Sequence, residues 1–237
     1  MKAMILAAGL GKRMRPLTER TPKPLLQIAG RYLIDFHLQN IANAGIKEVV
    51  INTHWLAEQI PEALGNGEQW RLNLTYSHEP VLLETAGGII QALPSLSDGQ
   101  EPFLLVNGDI YTELNLNEWL LQVLALDDAL NRSRLACLAM VSNPAHHPEG
   151  DFRIDADTGL LQPLSKNLNL PALTYSGVGI FHPAFFEGLS PGPSQLGPLL
   201  QAQIRAGCVS GLVMSDYWLD VGTPERYTAL QARLASG

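Results

Sequence analysis

The sequence predicts a doubly wound, mostly parallel α/β sheet, and three observations predict it. Short apolar bursts alternate with amphipathic helical stretches up to about residue 142. A turn carrying two glycines follows the first burst directly. The chain has 237 residues, with no internal repeat and no Pro/Gly/Ser linker to divide it, so one domain over 1–237 is expected.

The elements follow in order. Residues 2–7 form a short buried run, the first strand. Residues 32–44 place Leu33, Ile34, Phe36, Leu38, Ile41 and Ala42 near helical spacing, and Gly45 ends that helix. Residues 48–53 (EVVINT) are β-branched and read as a strand. A helical stretch over 56–64 carries Pro61, which implies a break or a restart. Alternation of Leu72, Leu74 and Tyr76 gives a strand over 72–77, and residues 89–93 a short helix ended by Pro94. Residues 103–106 are a fully apolar strand running into Asn107-Gly108-Asp109. A helix over 116–126 has Asn115 as its N-cap, and 135–141 is the next strand. From 143 to 215 the pattern changes: 152–154, the turn Asp157-Thr158-Gly159 and 175–181 look like a hairpin-rich insertion forming one wall of a cleft. A helix over 196–206, a strand over 209–214 and a terminal helix over 224–234 complete the chain. The last has Thr223 at its N-cap and Pro224 at its first position.

Composition removes several classes. With 46% hydrophobic and 16% charged residues the chain is too apolar to be disordered. Its net charge of −7 argues against a protein that tracks nucleic-acid phosphates. Cys137 and Cys208 form no CxxC pair and read as buried, reduced thiols. The apolar run before Gly9 is too short for a signal peptide and no later run is long enough to span a membrane, so a cytoplasmic protein without membrane partners is expected.

The strongest chemical signal is Leu6-Ala7-Ala8-Gly9-Leu10-Gly11-Lys12-Arg13-Met14-Arg15-Pro16-Leu17-Thr18, followed by Thr21-Pro22-Lys23-Pro24. Glycines after a strand let backbone N–H groups approach a polyphosphate. Arg13 can fork onto phosphate oxygens, and Lys23 adds a compact charge after a proline-bracketed turn. The motif is not Walker A, which needs Gly-Lys-Ser/Thr, and not the dinucleotide fingerprint, whose third glycine would fall at Met14. Asp109 and Asp220 each follow an apolar strand-like run. A lone aspartate there is ordinarily a turn residue, the reading given to Asp98 and Asp216. His146 and His147, adjacent and beside Pro148, read as an exposed loop.

The pattern LAAGxGxRMxPLT…PKPL resembles the signature of the nucleotidyltransferases that make nucleotide sugars from a nucleoside triphosphate and a sugar 1-phosphate. Glu84-Thr85-Ala86-Gly87-Gly88, Asn107-Gly108-Asp109, Ser176-Gly177-Val178-Gly179-Ile180 and Trp218-Leu219-Asp220-Val221-Gly222-Thr223-Pro224 extend the resemblance through most of the chain. The resemblance implies a mixed, Rossmann-like sheet with its cleft at the carboxyl ends of the strands, and Mg²⁺ held by Asp109 and Asp220. Arg13, Lys23, Asp109 and Asp220 are then the catalytic set. Leu6, Ala8, Gly9, Gly11, Lys12, Arg13 and Lys23 would hold the nucleotide, with Glu79, Thr85 and Gly88 in the base-reading segment.

The wording ETAGGI is most similar to the N-acetylmuramate 1-phosphate uridylyltransferases, a bacterial group in cell-wall sugar recycling; UTP and a sugar 1-phosphate are the implied substrates. Mannose-1-phosphate guanylyltransferases and glucose-1-phosphate thymidylyltransferases are the next resemblances. The resemblance places Asn107, Gly150, Lys166 and Ser176 on the sugar side. Relatives often carry Glu-Lys-Pro at Ser165-Lys166-Asn167 and Asn-Ala-Gly at Tyr175-Ser176-Gly177. If the resemblance holds for the acceptor, loss of that glutamate removes a like charge from the pocket that would take the lactyl carboxylate of a muramic acid. Lys166, Arg153 and Arg205 are the candidate cations for that carboxylate.

Overall fold

The computed structural model describes residues 1–126, 133–165 and 170–235. In chain order its elements begin with β1 (Ala3–Leu6), β2 (Gln27–Ile28), β3 (Arg31–Tyr32), α1 (Leu33–Asn43), β4 (Glu48–Thr53), α2 (Gln59–Leu64) and β5 (Asn73–His78). They continue with α3 (Glu84–Leu96), β6 (Phe103–Asn107), β7 (Ile110–Thr112), α4 (Leu116–Ala125) and β8 (Ala136–Val141). The second part holds β9 (Phe152–Ile154), β10 (Leu161–Pro163), β11 (Ala172–Phe181), α5 (Leu196–Arg205), β12 (Val209–Val213), β13 (Trp218–Asp220) and α6 (Pro224–Ala235).

β5, β4, β1 and β6 lie side by side and parallel, so the expected parallel half is present. β11 then runs antiparallel to β6, β8 antiparallel to β11, and β12 parallel to β8, which makes the sheet mixed. The β9–β10 hairpin extends from the first residues of β11. Residues alternate between two cores, as the two-residue period of a strand buried on both faces requires. Ala3 and Ile5 of β1, with Leu104 and Val106 of β6, pack with α1 and α4; Met4, Phe103 and Leu105 pack with α3 and α5.

Chain order builds the cleft. After β1 the chain moves outward through β4 and β5, then returns to place β6 on the other side of β1. The loops leaving β1 and β6 therefore diverge, opening a crevice at the carboxyl edge of the sheet. Gly108 closes the floor: its N–H donates to the Leu6 carbonyl at 2.9 Å, and a Cβ there would lie 2.5 Å from that oxygen.

Three expectations are corrected, and four short strands carry no sequence signal. The helix expected over 89–93 runs from Glu84 to Leu96. Its first N–H groups find a distant acceptor, with Ala86 and Gly87 donating to the Ser194 carbonyl at 2.8 and 3.1 Å, and Pro94 falls in the last turn, where one missing donor does not stop it. The helix over 56–64 starts only at Gln59, with Pro61 in its first turn, where a proline is tolerated. β2, β3, β7 and β10 are two or three residues long, too short for a periodic signal. Cys137 is buried, which pushes its thiol up to about 11, but Cys208 is partly exposed. Among the described residues no helix is long and apolar enough to cross a membrane.

Candidate active site

The crevice is a cleft of about 430 Å³ at the exits of β1, β4 and β6. One wall is the loop after β1. Gly11 adopts φ +60, and a Cβ on it would meet the Thr18 side chain at 2.9 Å; the Thr18 hydroxyl instead donates to the Gly11 carbonyl at 2.7 Å. Trp55 Nε1 donates to the Thr18 carbonyl at 3.0 Å, tying this loop to the segment after β4. Nothing lies within 4 Å of a Cβ built on Gly9, so its backbone stays open to a ligand. Leu6, Ala8, Gly9, Gly11, Lys12 and Arg13 all line the cleft, Arg13 as an exposed side chain on a 3-10 turn over Lys12–Met14.

Lys23 enters from a second 3-10 turn, Lys23–Leu25, and is only 8% exposed. Its ammonium donates to Asp109 Oδ2 at 2.7 Å. The cleft walls strip water from Asp109, which alone would raise its pKa. The Lys23 ammonium, helped by Arg13, outweighs that and holds the carboxyl below its ordinary range. Asp109 is therefore a carboxylate at neutral pH.

Asp220 arrives on β13, which pairs with β7 so that Asp220 lies opposite Ile110, the neighbour of Asp109. The Val221 N–H donates to the Asp109 carbonyl at 2.9 Å and locks the register. Arg226, in the first turn of α6, sits 3.2 Å from Asp220 Oδ2, and His146, from the loop between β8 and β9, reaches the same oxygen at 3.8 Å. Burial, and then the Arg226 charge, pull His146 below its ordinary pKa against the pull of Asp220. Asp109, just before β7, and Asp220, on β13 beside it, are hard oxygen donors of the kind that a divalent cation takes. No group of three or more His, Cys, Asp or Glu side chains among the described residues could hold a metal alone.

Asn52, Glu79, Leu82, Glu84 and Thr85 line another part of the cleft. Glu79 is fully buried; Oε1 accepts from Asn52 Nδ2 at 2.7 Å and Oε2 from the Leu83 N–H at 3.0 Å. Asn52 Oδ1 accepts from the Ala7 N–H at 2.7 Å. This chain of bonds joins β1, β4 and the segment before α3. Gly88 has no room for a side chain, because a Cβ would strike Glu79 Oε1 and lie 2.8 Å from Asn52 Nδ2. Gly88 is thus buried behind Glu79, while Thr85 lines the cleft.

The residues expected on the sugar side are placed unequally. Asn107 lines the cleft. Ser176 is fully buried, its hydroxyl accepting the Val178 N–H at 3.1 Å, and it does not line the cleft. Gly150 adopts φ +68 in a turn where a Cβ would meet Asn143 Oδ1 at 2.5 Å. Lys166 and Asn167 lie outside the described residues. Of the other candidate cations, Arg205 is exposed on α5, bonded to Gln201, and Arg153 donates to the Leu170 carbonyl. The Tyr175 ring packs into the α3/α5 core. Sequence reasoning missed Asn52, His146 and Arg226. Their only signal is their fold neighbours, 27, 74 and 6 residues away in the chain.

Residues 2–146 match the family model described as nucleotidyl transferase. The chain is 47% identical to an N-acetylmuramate alpha-1-phosphate uridylyltransferase from Neisseria meningitidis, over 98% of this chain and 97% of the relative. It is 35% identical to a protein of the same name from Caulobacter vibrioides, over 98% and 96%. The solved structure of a Bacillus anthracis protein described as a glucose-1-phosphate thymidylyltransferase superposes with a TM-score of 0.81 at 19% identity, covering 98% of this chain and 94% of that one. That likeness concerns the fold.

Proposed function

Because the chain belongs to the nucleotidyl transferase family, we propose that it makes UDP-N-acetylmuramic acid and pyrophosphate from UTP and N-acetylmuramic acid 1-phosphate. The observation that carries the chemistry is the Lys23–Asp109 pair in a cleft that the Asn52–Glu79 segment also lines, with Asp220 brought beside it by pairing opposite Ile110. The full-length identity to the Neisseria uridylyltransferase supports the substrate pair.

The backbone N–H groups of the Gly9–Gly11 loop and the Arg13 guanidinium hold the β- and γ-phosphates, and Lys23 neutralises charge at the α-phosphate. Asn52, Glu79 and Thr85 frame the base. An anionic oxygen of the sugar 1-phosphate attacks the α-phosphorus; the bond to the α–β bridging oxygen breaks and pyrophosphate leaves. The attacking oxygen is already ionised near neutral pH, so no side chain has to remove a proton. The residues act by positioning two anions that repel one another and by offsetting their charge. Asp109 and Asp220 would hold Mg²⁺, which when bound supplies further neutralisation of phosphate oxygens. The reading carries a cytoplasmic setting, where nucleoside triphosphates are found, and a place in cell-wall sugar recycling.

The test is pyrophosphate release from UTP with N-acetylmuramic acid 1-phosphate and Mg²⁺. Release that requires both substrates and the metal supports the reading; no release above a protein-free control sinks it.

A further inference from the structure

We propose that Arg226 is a positioning residue for Asp220: it fixes one carboxylate oxygen so that the other is presented to the metal. The inference rests on the assignment of Asp220 as a metal ligand made above. Each of the two carboxylates carries a cation on one oxygen, Lys23 on Asp109 Oδ2 at 2.7 Å and Arg226 on Asp220 Oδ2 at 3.2 Å. The two cations differ in placement. Lys23 lines the cleft and can exchange Asp109 for a phosphate, whereas Arg226 stands outside the cleft lining, on the first turn of α6.

Three features hold Arg226 there. Its side chain is 16% exposed, and its Nε is buried without a hydrogen-bond partner among the described residues, while its Nη2 stands 3.2 Å from Asp220 Oδ2. The Arg226 N–H donates to Thr223 Oγ1 at 3.4 Å, which caps α6 and sets the residue's direction. Gly222 lies between: a Cβ on it would collide with Arg226 Nη2 and sit 2.8 Å from Asp220 Oδ1. The glycine is thus the space in which guanidinium and carboxylate meet. His146 approaches the same Oδ2 at 3.8 Å, so both contacts fall on Oδ2 and Oδ1 is left for a further ligand. A carboxylate so held needs no reorientation when a cation arrives, and outer partners of this kind ordinarily change metal affinity about 10–100-fold.

The sign of the effect makes the proposal testable. Removing a positive charge near a cation site would by itself tighten metal binding, so weaker binding can come only from a lost orientation. Mn²⁺ affinity is measured by electron paramagnetic resonance on the full chain with UTP present and no sugar phosphate, at a temperature where circular dichroism shows each variant folded. Arg226→Met is expected to weaken Mn²⁺ binding at least about tenfold, and Arg226→Lys, which keeps a donor, to recover most of the loss. Unchanged or tighter binding in Arg226→Met overturns the positioning role while leaving Asp220 as ligand. If the unaltered chain and Asp220→Asn bind Mn²⁺ equally, the ligand assignment itself falls and the proposal with it.

Discussion

Lys23 and Asp109 are 86 residues apart in the chain, yet the ammonium of one lies 2.7 Å from a carboxylate oxygen of the other. β1 and β6 are neighbours in the sheet, and the turns that follow them close over the same crevice. The Lys23 ammonium holds the Asp109 carboxyl below its ordinary range, so a carboxylate faces the cleft at neutral pH.

Asp109→Asn and Asp220→Asn should each lower turnover about 10²–10³-fold, the scale of losing one preorganised charge at a transition state. Circular dichroism should show both variants folded. Steady-state rates at saturating Mg²⁺ check this, and a variant within twofold of the unaltered chain would remove that aspartate from the site.

Lys23→Ala and Arg13→Ala should depress turnover more than they raise the KM for the sugar phosphate, because their charges face the transferring and leaving groups. Initial rates over a grid of both substrate concentrations separate the two effects. Unchanged kinetics in Arg13→Ala at every UTP concentration contradict its role.

The fold, and the gathering of the glycine loop, Arg13 and Lys23 at one cleft, were legible because their signals are local. Gly9, Gly11, Arg13 and Lys23 lie within fifteen residues of one another, and the apolar periods of β1, β4, β6, α1 and α4 are long enough to read. What escaped is non-local. Nothing near Asn52 marks it as the partner of Glu79, and nothing near His146 or Arg226 marks either as facing Asp220, until β13 has paired with β7. The start of α3 was missed for the same reason, since its first donors are satisfied by Ser194. Ser176 is buried in the stretch of β11 where the register against β8 shifts, between Tyr175 and Gly179, an irregularity with no local sequence signal.

Asn52→Leu should strand Glu79 Oε1 and the Ala7 N–H inside the protein, costing about 1–3 kcal/mol per unsatisfied group. The base end of the cleft should loosen with it. Thermal unfolding checks the first effect and the KM for UTP the second. A variant with an unaltered melting temperature and unaltered KM would show the network to be dispensable.

His37 lies fully buried on α1, and burial lowers its pKa to about 4 despite the opposing pull of an Ile110 backbone contact and of Asp109. Unfolded, the same group titrates near 6.5. The unfolded chain therefore takes up the proton first, so this stability is complete above about pH 6.5 and is lost as pH falls toward 4, by at most about 3 kcal/mol. Unfolding free energies at pH 7.5 and pH 5 should differ less in His37→Asn than in the unaltered chain. An equal difference in both would assign the acid sensitivity elsewhere.

The most direct measurement of the central claim is the ratio of kcat/KM values for competing substrate pairs, read as pyrophosphate release and as the nucleotide sugar formed. UTP with N-acetylmuramic acid 1-phosphate should exceed UTP with glucose 1-phosphate, and GTP with mannose 1-phosphate, by at least about tenfold, the ratio that one missing polar contact supplies. A higher kcat/KM for GTP with mannose 1-phosphate would contradict the account and make the chain a guanylyltransferase.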